Sequence, residues 1–314
     1  MLPLLLFTAL EATHVSAQSD LSFSQPLQAI LSNAHSGSLY TYPTDLTQGI
    51  VPKPIASHND YWRPLPFYSA LSVGAVSVEA DVWLYNGSLH VGHEESALTN
   101  ERTFDSLYVQ PILSVLQRMN PASKFVTEGP TKNGVYDTSS GQTLYLYVDV
   151  KTDGPTTFPH VIRALAPLRE AGYLTTWNGT GVTMGPVSVI GTGNTPLDQV
   201  QGVSERDYFY DAPLPDLSST SSNITSDVSL TANWDFGDAF GEVRNQSFNA
   251  TQMQMLEEQI ATAHDKGIMV RYWDLPSWPI GTRNAVWRIL WDAGVDLLNV
   301  DDLEGAANFW ENGG

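Results

Sequence analysis

From about residue 55 onward, short apolar runs alternate with amphipathic stretches of helical length. That is the order of βα units laid on a parallel sheet. The runs predict strands at 55–59, 75–83, 144–151, 187–191, 208–210, 228–231, 268–272 and 296–299. Eight such strands predict a (β/α)8 barrel of the TIM type. The periodic stretches predict helices at 66–71, 105–119, 158–170, 251–266 and 282–293. The helix from Thr251 opens on a good N-cap and closes at Lys266-Gly267; the last helix closes the same way at Gly294. One unit is irregular: 89–92 reads as a second short strand after the Asn86-Gly87 turn, so strand two continues into a hairpin that carries His93. Residues 18–50 are polar and turn-rich and are expected as an arm on a barrel domain of residues 51–314, and the Pro- and Ser-rich stretch 213–226 is expected as a loop.

In a parallel barrel the chemistry collects at the C-terminal ends of the strands. Strand one there ends in Ser57-His58-Asn59-Asp60, and strand two carries Glu79-Ala80-Asp81. The hairpin supplies His90-Val91-Gly92-His93-Glu94, and strand three ends in Asp149-Val150-Lys151. Glu79 and Asp81 are two apart in a strand, so their side chains share a face. Two carboxylates aimed into one barrel mouth repel unless a cation lies between them. Asp149, with Lys151 two residues on, repeats the geometry on the neighbouring strand. Three carboxylates and no thiolate favour a hard ion, Mg²⁺ or Ca²⁺, over zinc. His58 and His93 fall on either side of that ion, placed to divide a general-base and a general-acid role, and Lys151 adds positive charge toward phosphoryl oxygens. Singly, each of these residues has an ordinary structural explanation. Their joint order at successive strand ends carries the argument.

Charge and composition narrow the partners. The 314 residues hold 34 acidic and 15 basic side chains, a net charge of −19. That excess argues against nucleic acid, whose phosphates need a basic surface, and against electrostatic docking to an anionic membrane. An anionic substrate must then be met locally, by a metal or a few cations. The apolar run 2–10 is too short to span a bilayer, and Val15-Ser16-Ala17 follows it as a small-residue cleavage pattern, so residues 1–17 are expected as a signal peptide. Five glycosylation sequons, at Asn86, Asn178, Asn223, Asn245 and Asn249, agree with secretion. No cysteine is present, so no thiol can act as nucleophile and core packing alone must hold the fold. A monomer without a stable membrane anchor is expected.

The motifs Ser57-His58-Asn59-Asp60, Val78-Glu79-Ala80-Asp81-Val82-Trp83, Val91-Gly92-His93-Glu94 and Val148-Asp149-Val150-Lys151-Thr152-Asp153-Gly154 resemble those of the phosphodiesterases with a phospholipase-C-like barrel, among them glycerophosphodiester phosphodiesterases and sphingomyelinase D enzymes. They are most similar to the fungal altered inheritance of mitochondria protein 6 family. Later segments agree: Gly191-Thr192-Gly193-Asn194-Thr195-Pro196, Asp207-Tyr208-Phe209-Tyr210-Asp211-Ala212-Pro213, Arg271-Tyr272-Trp273-Asp274 and Leu298-Asn299-Val300-Asp301-Asp302-Leu303. The resemblance runs from about Ile55 to the C-terminus. It implies catalytic roles for His58 and His93, metal ligation by Glu79, Asp81 and Asp149, and phosphate contact by Lys151. Asn59, Trp273 and Asn299 are the substrate contacts it suggests, Trp273 matching an aromatic near the mouth in sphingomyelinase D-like members. The expected activity is that of a secreted phosphoric diester hydrolase acting on a glycerophosphodiester or (lyso)phospholipid.

Asn59 stands where glycerophosphodiesterases usually carry Arg, and a chain without cysteine lacks the disulfides of the toxin-type enzymes. Both departures bear on the substrate rather than the chemistry. The family's name points to mitochondria, whereas this N-terminus points to secretion. Two other readings compete: a secreted glycoside hydrolase, and a non-catalytic binding protein on a barrel scaffold. Sugar cleavage needs two carboxyl groups about 5–10 Å apart across a glycosidic bond. Glu79 and Asp81 on one strand are too crowded for that, and it leaves two histidines unused.

Overall fold

The computed structural model describes residues 24–33, 39–126, 131–219 and 223–311. The leader expected at 1–17 lies outside them. The chain divides into two units, Met1–Tyr42 and Pro43–Gly314. In the first, where a turn-rich arm is expected, a helix α1 (Gln25–Asn33) forms. Its Leu27, Ile30 and Leu31 repeat at the i, i+3, i+4 spacing of a helix face.

The second unit is the barrel. Eight parallel strands, β1 (Lys53–Ser57), β2 (Ala75–Tyr85), β3 (Leu144–Val150), β4 (Val187–Gly193), β5 (Phe209–Pro213), β6 (Thr231–Asp235), β7 (Met269–Trp273) and β8 (Leu297–Val300), pair in sequence order, and β1 closes on both β8 and β2. The (β/α)8 expectation is correct. Outward residues such as Ile55, Val78, Ala80 and Val82 are buried beneath the helices. Inward ones become polar toward the C-terminal ends. The hairpin strand Ser88–Val91 runs antiparallel to β2 and delivers His93 to that end.

The principal crossover helices are α2 (Tyr68–Ser72), α3 (Gln110–Met119), α4 (Gly154–Ala164), α5 (Ala166–Glu170), α6 (Leu197–Gln201), α7 (Phe236–Phe240), α8 (Ala250–His264), α9 (Ile280–Ala293) and α10 (Leu303–Glu311). The strand expected at 208–210 runs over Phe209–Pro213, the helix expected at 158–170 is split into α4 and α5, and two further boundaries differ for local reasons. The sixth strand begins at Thr231 instead of ending there, because Val228 belongs to a turn closed by bonds to the Thr225 carbonyl. α4 starts at Gly154, four residues before its first large apolar side chain, because Asp153 caps it by accepting from the Thr156 amide at 3.0 Å and Pro155 follows. A Cβ on Gly154 would lie 1.8 Å from the Asn194 carbonyl oxygen, so only glycine fits where that helix meets the loop after β4. The five sequon asparagines are all exposed.

Candidate active site

Register decides which carboxylates meet. β2 and β3 pair with Asp81 opposite Asp149, while Ser57 of β1 lies opposite Val78, so His58 comes beside Glu79. Glu79, Asp81 and Asp149 each offer an oxygen within 4.8 Å of the others. Asp81 is 1 % exposed. Its Oδ2 lies 3.0 Å from Lys151 Nζ and accepts from the Tyr61 hydroxyl at 2.8 Å. Its Oδ1 is buried with no hydrogen-bond partner among the described residues. Lys151 Nζ also donates to Asp149 Oδ2 at 2.7 Å. Gly193 leaves room for Asp149: at φ +63°, a Cβ there would lie 2.0 Å from Asp149 Oδ1.

These groups press on one another's protonation. Burial, then the charges of Glu79 and Asp149, push the Asp81 carboxyl up to about 7 despite Lys151. Burial also raises Asp149, with Lys151 opposing. Burial alone would lower the Lys151 ammonium, but the Asp149 and Asp81 charges outweigh it and raise it. Among the described residues the donors are too few for three carboxylates, as the orphaned Asp81 Oδ1 shows, and the surplus sits in a buried, low-dielectric place where it is costly.

Each histidine stands beside one member of the trio. His58 Nε2 lies 3.8 Å from Glu79 Oε2, and its Nδ1 lies 2.9 Å from Asp301 Oδ1. Asp301 as acceptor keeps the proton on Nδ1 and leaves Nε2 to face the cleft. Burial would lower the His58 imidazole, but the Asp301 hydrogen bond and the Glu79 and Asp301 charges together raise it. His93, half exposed, places Nδ1 3.6 Å from Asp81 Oδ2 and 3.2 Å from the Tyr61 hydroxyl. Asn59 holds the left-handed conformation at φ 47°, which turns its amide to donate to Glu79 Oε2 at 3.1 Å. Just behind, buried Asp60 ties the loop down, accepting from Ser57 Oγ at 2.7 Å and the Phe67 amide at 2.6 Å.

The cleft above the trio has a volume of about 890 Å³, and His58, Asn59, His93, Lys151 and Trp273 all line it. Trp273 donates Nε1–H to Asn233 Oδ1 at 3.0 Å. Asn299 sits elsewhere: it is 4 % exposed, accepts from Arg271 Nη1 at 3.2 Å, and borders a smaller cavity behind His58. Sequence reasoning missed Tyr61, Arg271 and Asp301. Buried Arg271 lies 4.0 Å from Glu79, donates to Asp211 Oδ2 at 2.7 Å and stacks 4.0 Å from the Tyr147 ring centre. Parity with Trp273 on β7 was the one available sign that Arg271 points inward.

The donor set fits a hard divalent cation: oxygens only, converging, one of them buried and without a hydrogen-bond partner among the described residues. Fold and site together define a (β/α)8 barrel with a carboxylate trio at its mouth that could hold a metal ion. The model of the AIM6-like phosphodiesterase domain matches residues 44–211, and the chain belongs to that family. It is 52% identical over 299 residues to the altered inheritance of mitochondria protein 6 homolog of Arthroderma benhamiae, covering 92% of this chain and 94% of that protein. It is 36% identical over 270 residues to altered inheritance of mitochondria protein 6 of Eremothecium gossypii, covering 81% and 69%.

Proposed function

We propose that the protein is a metal-dependent phosphoric diester hydrolase acting on a glycerophosphodiester or (lyso)phospholipid. The observation that carries this is the carboxylate trio with the orphaned Asp81 Oδ1, flanked by two histidines that each face one carboxylate. Glu79, Asp81 and Asp149 would hold Mg²⁺ or Ca²⁺, and the ion, when bound, supplies positive charge for the phosphoryl oxygens. Lys151 adds a fixed cation beside it. One histidine takes a proton from the attacking water and the other gives a proton to the leaving alkoxide; the half-exposed His93 suits the second task. Tyr61, hydrogen-bonded to Asp81 and in reach of His93, orients both. Trio oxygens within 4.8 Å of one another are tighter than the spacing of roughly 5–10 Å that sugar cleavage needs.

The test is an activity screen of the purified protein against phosphodiesters and lysophospholipids, with and without EDTA. Cleavage that EDTA abolishes and Mg²⁺ or Ca²⁺ restores is expected; full activity in EDTA, or cleavage of glycosides alone, overturns the reading.

A further inference from the structure

Arg63 directly follows the 3-10 turn Asp60–Trp62 in the loop after β1. No described carboxylate pairs with it, and its guanidinium is given to backbone carbonyls instead. Nη2 donates to the Asp301 carbonyl at 2.8 Å and is shared with those of His58 at 3.2 Å and Val300 at 3.4 Å, while Nη1 donates to the Asn59 carbonyl at 3.3 Å. Two of these carbonyls belong to the turn after β1 and two to the end of β8. A planar fork spans such a set, whereas the ammonium of a lysine is a single compact donor. Arg63 Nε is buried with no hydrogen-bond partner among the described residues, and an arginine held at that cost has a reason to be there.

The reason is what those carbonyls carry. The His58 carbonyl and the Asn59 N–H are the two ends of one peptide group. Its oxygen accepts from Arg63, and its N–H donates to Glu79 Oε2 at 3.1 Å. A peptide group is planar, so the guanidinium that fixes the oxygen also aims the N–H at the carboxylate. A charged donor on the carbonyl polarises the group and strengthens the bond on its far side. Asn59 keeps this pose at φ 47°, a conformation that persists where its surroundings hold it. The other two carbonyls act on His58: Asp301 takes its Nδ1 at 2.9 Å, and Val300 takes its backbone amide at 3.1 Å. Arg63 itself does not line the cleft. We propose that Arg63 is a positioning residue, which aims Glu79 toward the divalent ion and His58 toward the cleft by riveting the turn after β1 to the end of β8. The proposal deepens the phosphodiesterase reading and rests on it for the ion and the substrate; the placement of His58 is measured without either.

The experiment compares the whole wild-type protein with Arg63→Met, Arg63→Lys and Arg206→Met. Arg206 is the control: it too gives its guanidinium to backbone carbonyls, those of Val203 and Asp227, but before the start of β5. Arg63→Met should weaken Mg²⁺ or Ca²⁺ affinity about tenfold by calorimetry, and lower kcat at saturating ion about tenfold with KM within about twofold. In EDTA, the proton NMR signal of the His58 Nδ1–H held by Asp301, assigned by its loss in His58→Asn, should shift or vanish in the same variant. Arg63→Lys should recover part of each loss, because one ammonium reaches a carbonyl without spanning both turns. Arg206→Met should lower Tm while leaving ion affinity, kcat and the His58 signal as in wild type. Equal losses of affinity and kcat in Arg206→Met and Arg63→Met would make Arg63 an ordinary brace of the fold and overturn the proposal. Unchanged affinity, kcat and His58 signal in Arg63→Met would overturn it as well. A wild type that binds no divalent ion and cleaves no diester overturns the phosphodiesterase reading instead, and the His58 signal then decides alone for or against Arg63.

Discussion

Asp81 and Asp211 are the same residue type, both buried at the C-terminal ends of barrel strands, yet their surroundings differ. Asp211 is fully provided for: Arg271 donates to Oδ2 at 2.7 Å and Thr231 to Oδ1 at 2.8 Å, while Arg271 is itself braced by Asn299 and Tyr147. Asp81 shares a single ammonium with Asp149 and has an oxygen with no hydrogen-bond partner among the described residues. On the β5–β7 side of the mouth the buried carboxylate has a cation of its own, and the β1–β3 side is left one cation short. Burial alone does not mark a functional carboxylate; burial with incomplete satisfaction does.

The largest effect expected from that contrast lies with the histidines on the unsatisfied side. His58→Asn and His93→Asn keep approximate size and polarity while removing the titrating ring. Each should lower kcat about 100-fold or more on any diester the wild type cleaves. The double variant should cost less than the product of the two, since they act as a unit. His264, paired at 2.8 Å with Asp296 near the start of β8, is the control, and His264→Asn should keep turnover. Near-normal turnover in both cleft variants would remove the basis for the mechanism.

Next in size is the exchange of stability for function across the mouth. Arg271→Met strands Asp211 as an unpaired buried charge, which should cost about 3–5 kcal/mol and lower Tm by about 10 °C. Asp81→Asn should do the reverse in EDTA: stability equal to or above wild type, because the substitution removes one of the buried carboxylates that crowd around the single Lys151 ammonium. Divalent-ion affinity, measured by calorimetry, should collapse in the same variant. If Asp81→Asn destabilises the chelated protein as much as Arg271→Met does, the two carboxylates are alike and the contrast fails.

Most of the fold was legible because apolar runs of strand length alternate with helical ones. The sixth strand was misplaced because Thr231–Asp235 is largely polar, lining the mouth, while apolar Val228 just before it sits in a turn. α6 and α7 are five residues each, too short for a periodic signal. Within the site, Glu79 and Asp81 were legible from their two-residue spacing, and Asp149 from its place on the next strand. Asp301 was not: it meets His58 across 243 positions, and only closure of β8 onto β1 brings them together. Tyr61 escaped for a different reason. Its 3-10 turn has no period to show which way the hydroxyl points.

The smallest effect is also the one whose sign runs against common behaviour. Paired carboxylates usually make a protein more stable as pH rises from acid toward neutral. Here the folded Asp81 carboxyl sits at about 7, raised by burial and by the charges of Glu79 and Asp149, whereas an unfolded aspartate ionises near 3.9. Between those values the folded chain holds a proton that the unfolded chain has released, so stability falls as pH rises. Asp149, Asp60 and Asp211, all raised by burial, act in the same direction. So does His58, whose raised imidazole contributes stability at low pH that is lost as pH rises through its folded value. In EDTA, Tm should therefore be higher near pH 5 than near pH 8, by about 5 °C. Added Mg²⁺ or Ca²⁺ should flatten or reverse that slope, because the ion binds the deprotonated carboxylates and does so best at the higher pH. Asp81→Asn should lessen it without metal, leaving the share of the other raised groups. On the other side of the mouth, Asn299→Ala loosens Arg271 and should lower Tm at both pH values alike, leaving the slope in place. A chelated wild-type protein that is as stable at pH 8 as at pH 5 would mean that the trio carries no surplus charge and that nothing on the β1–β3 side awaits a cation.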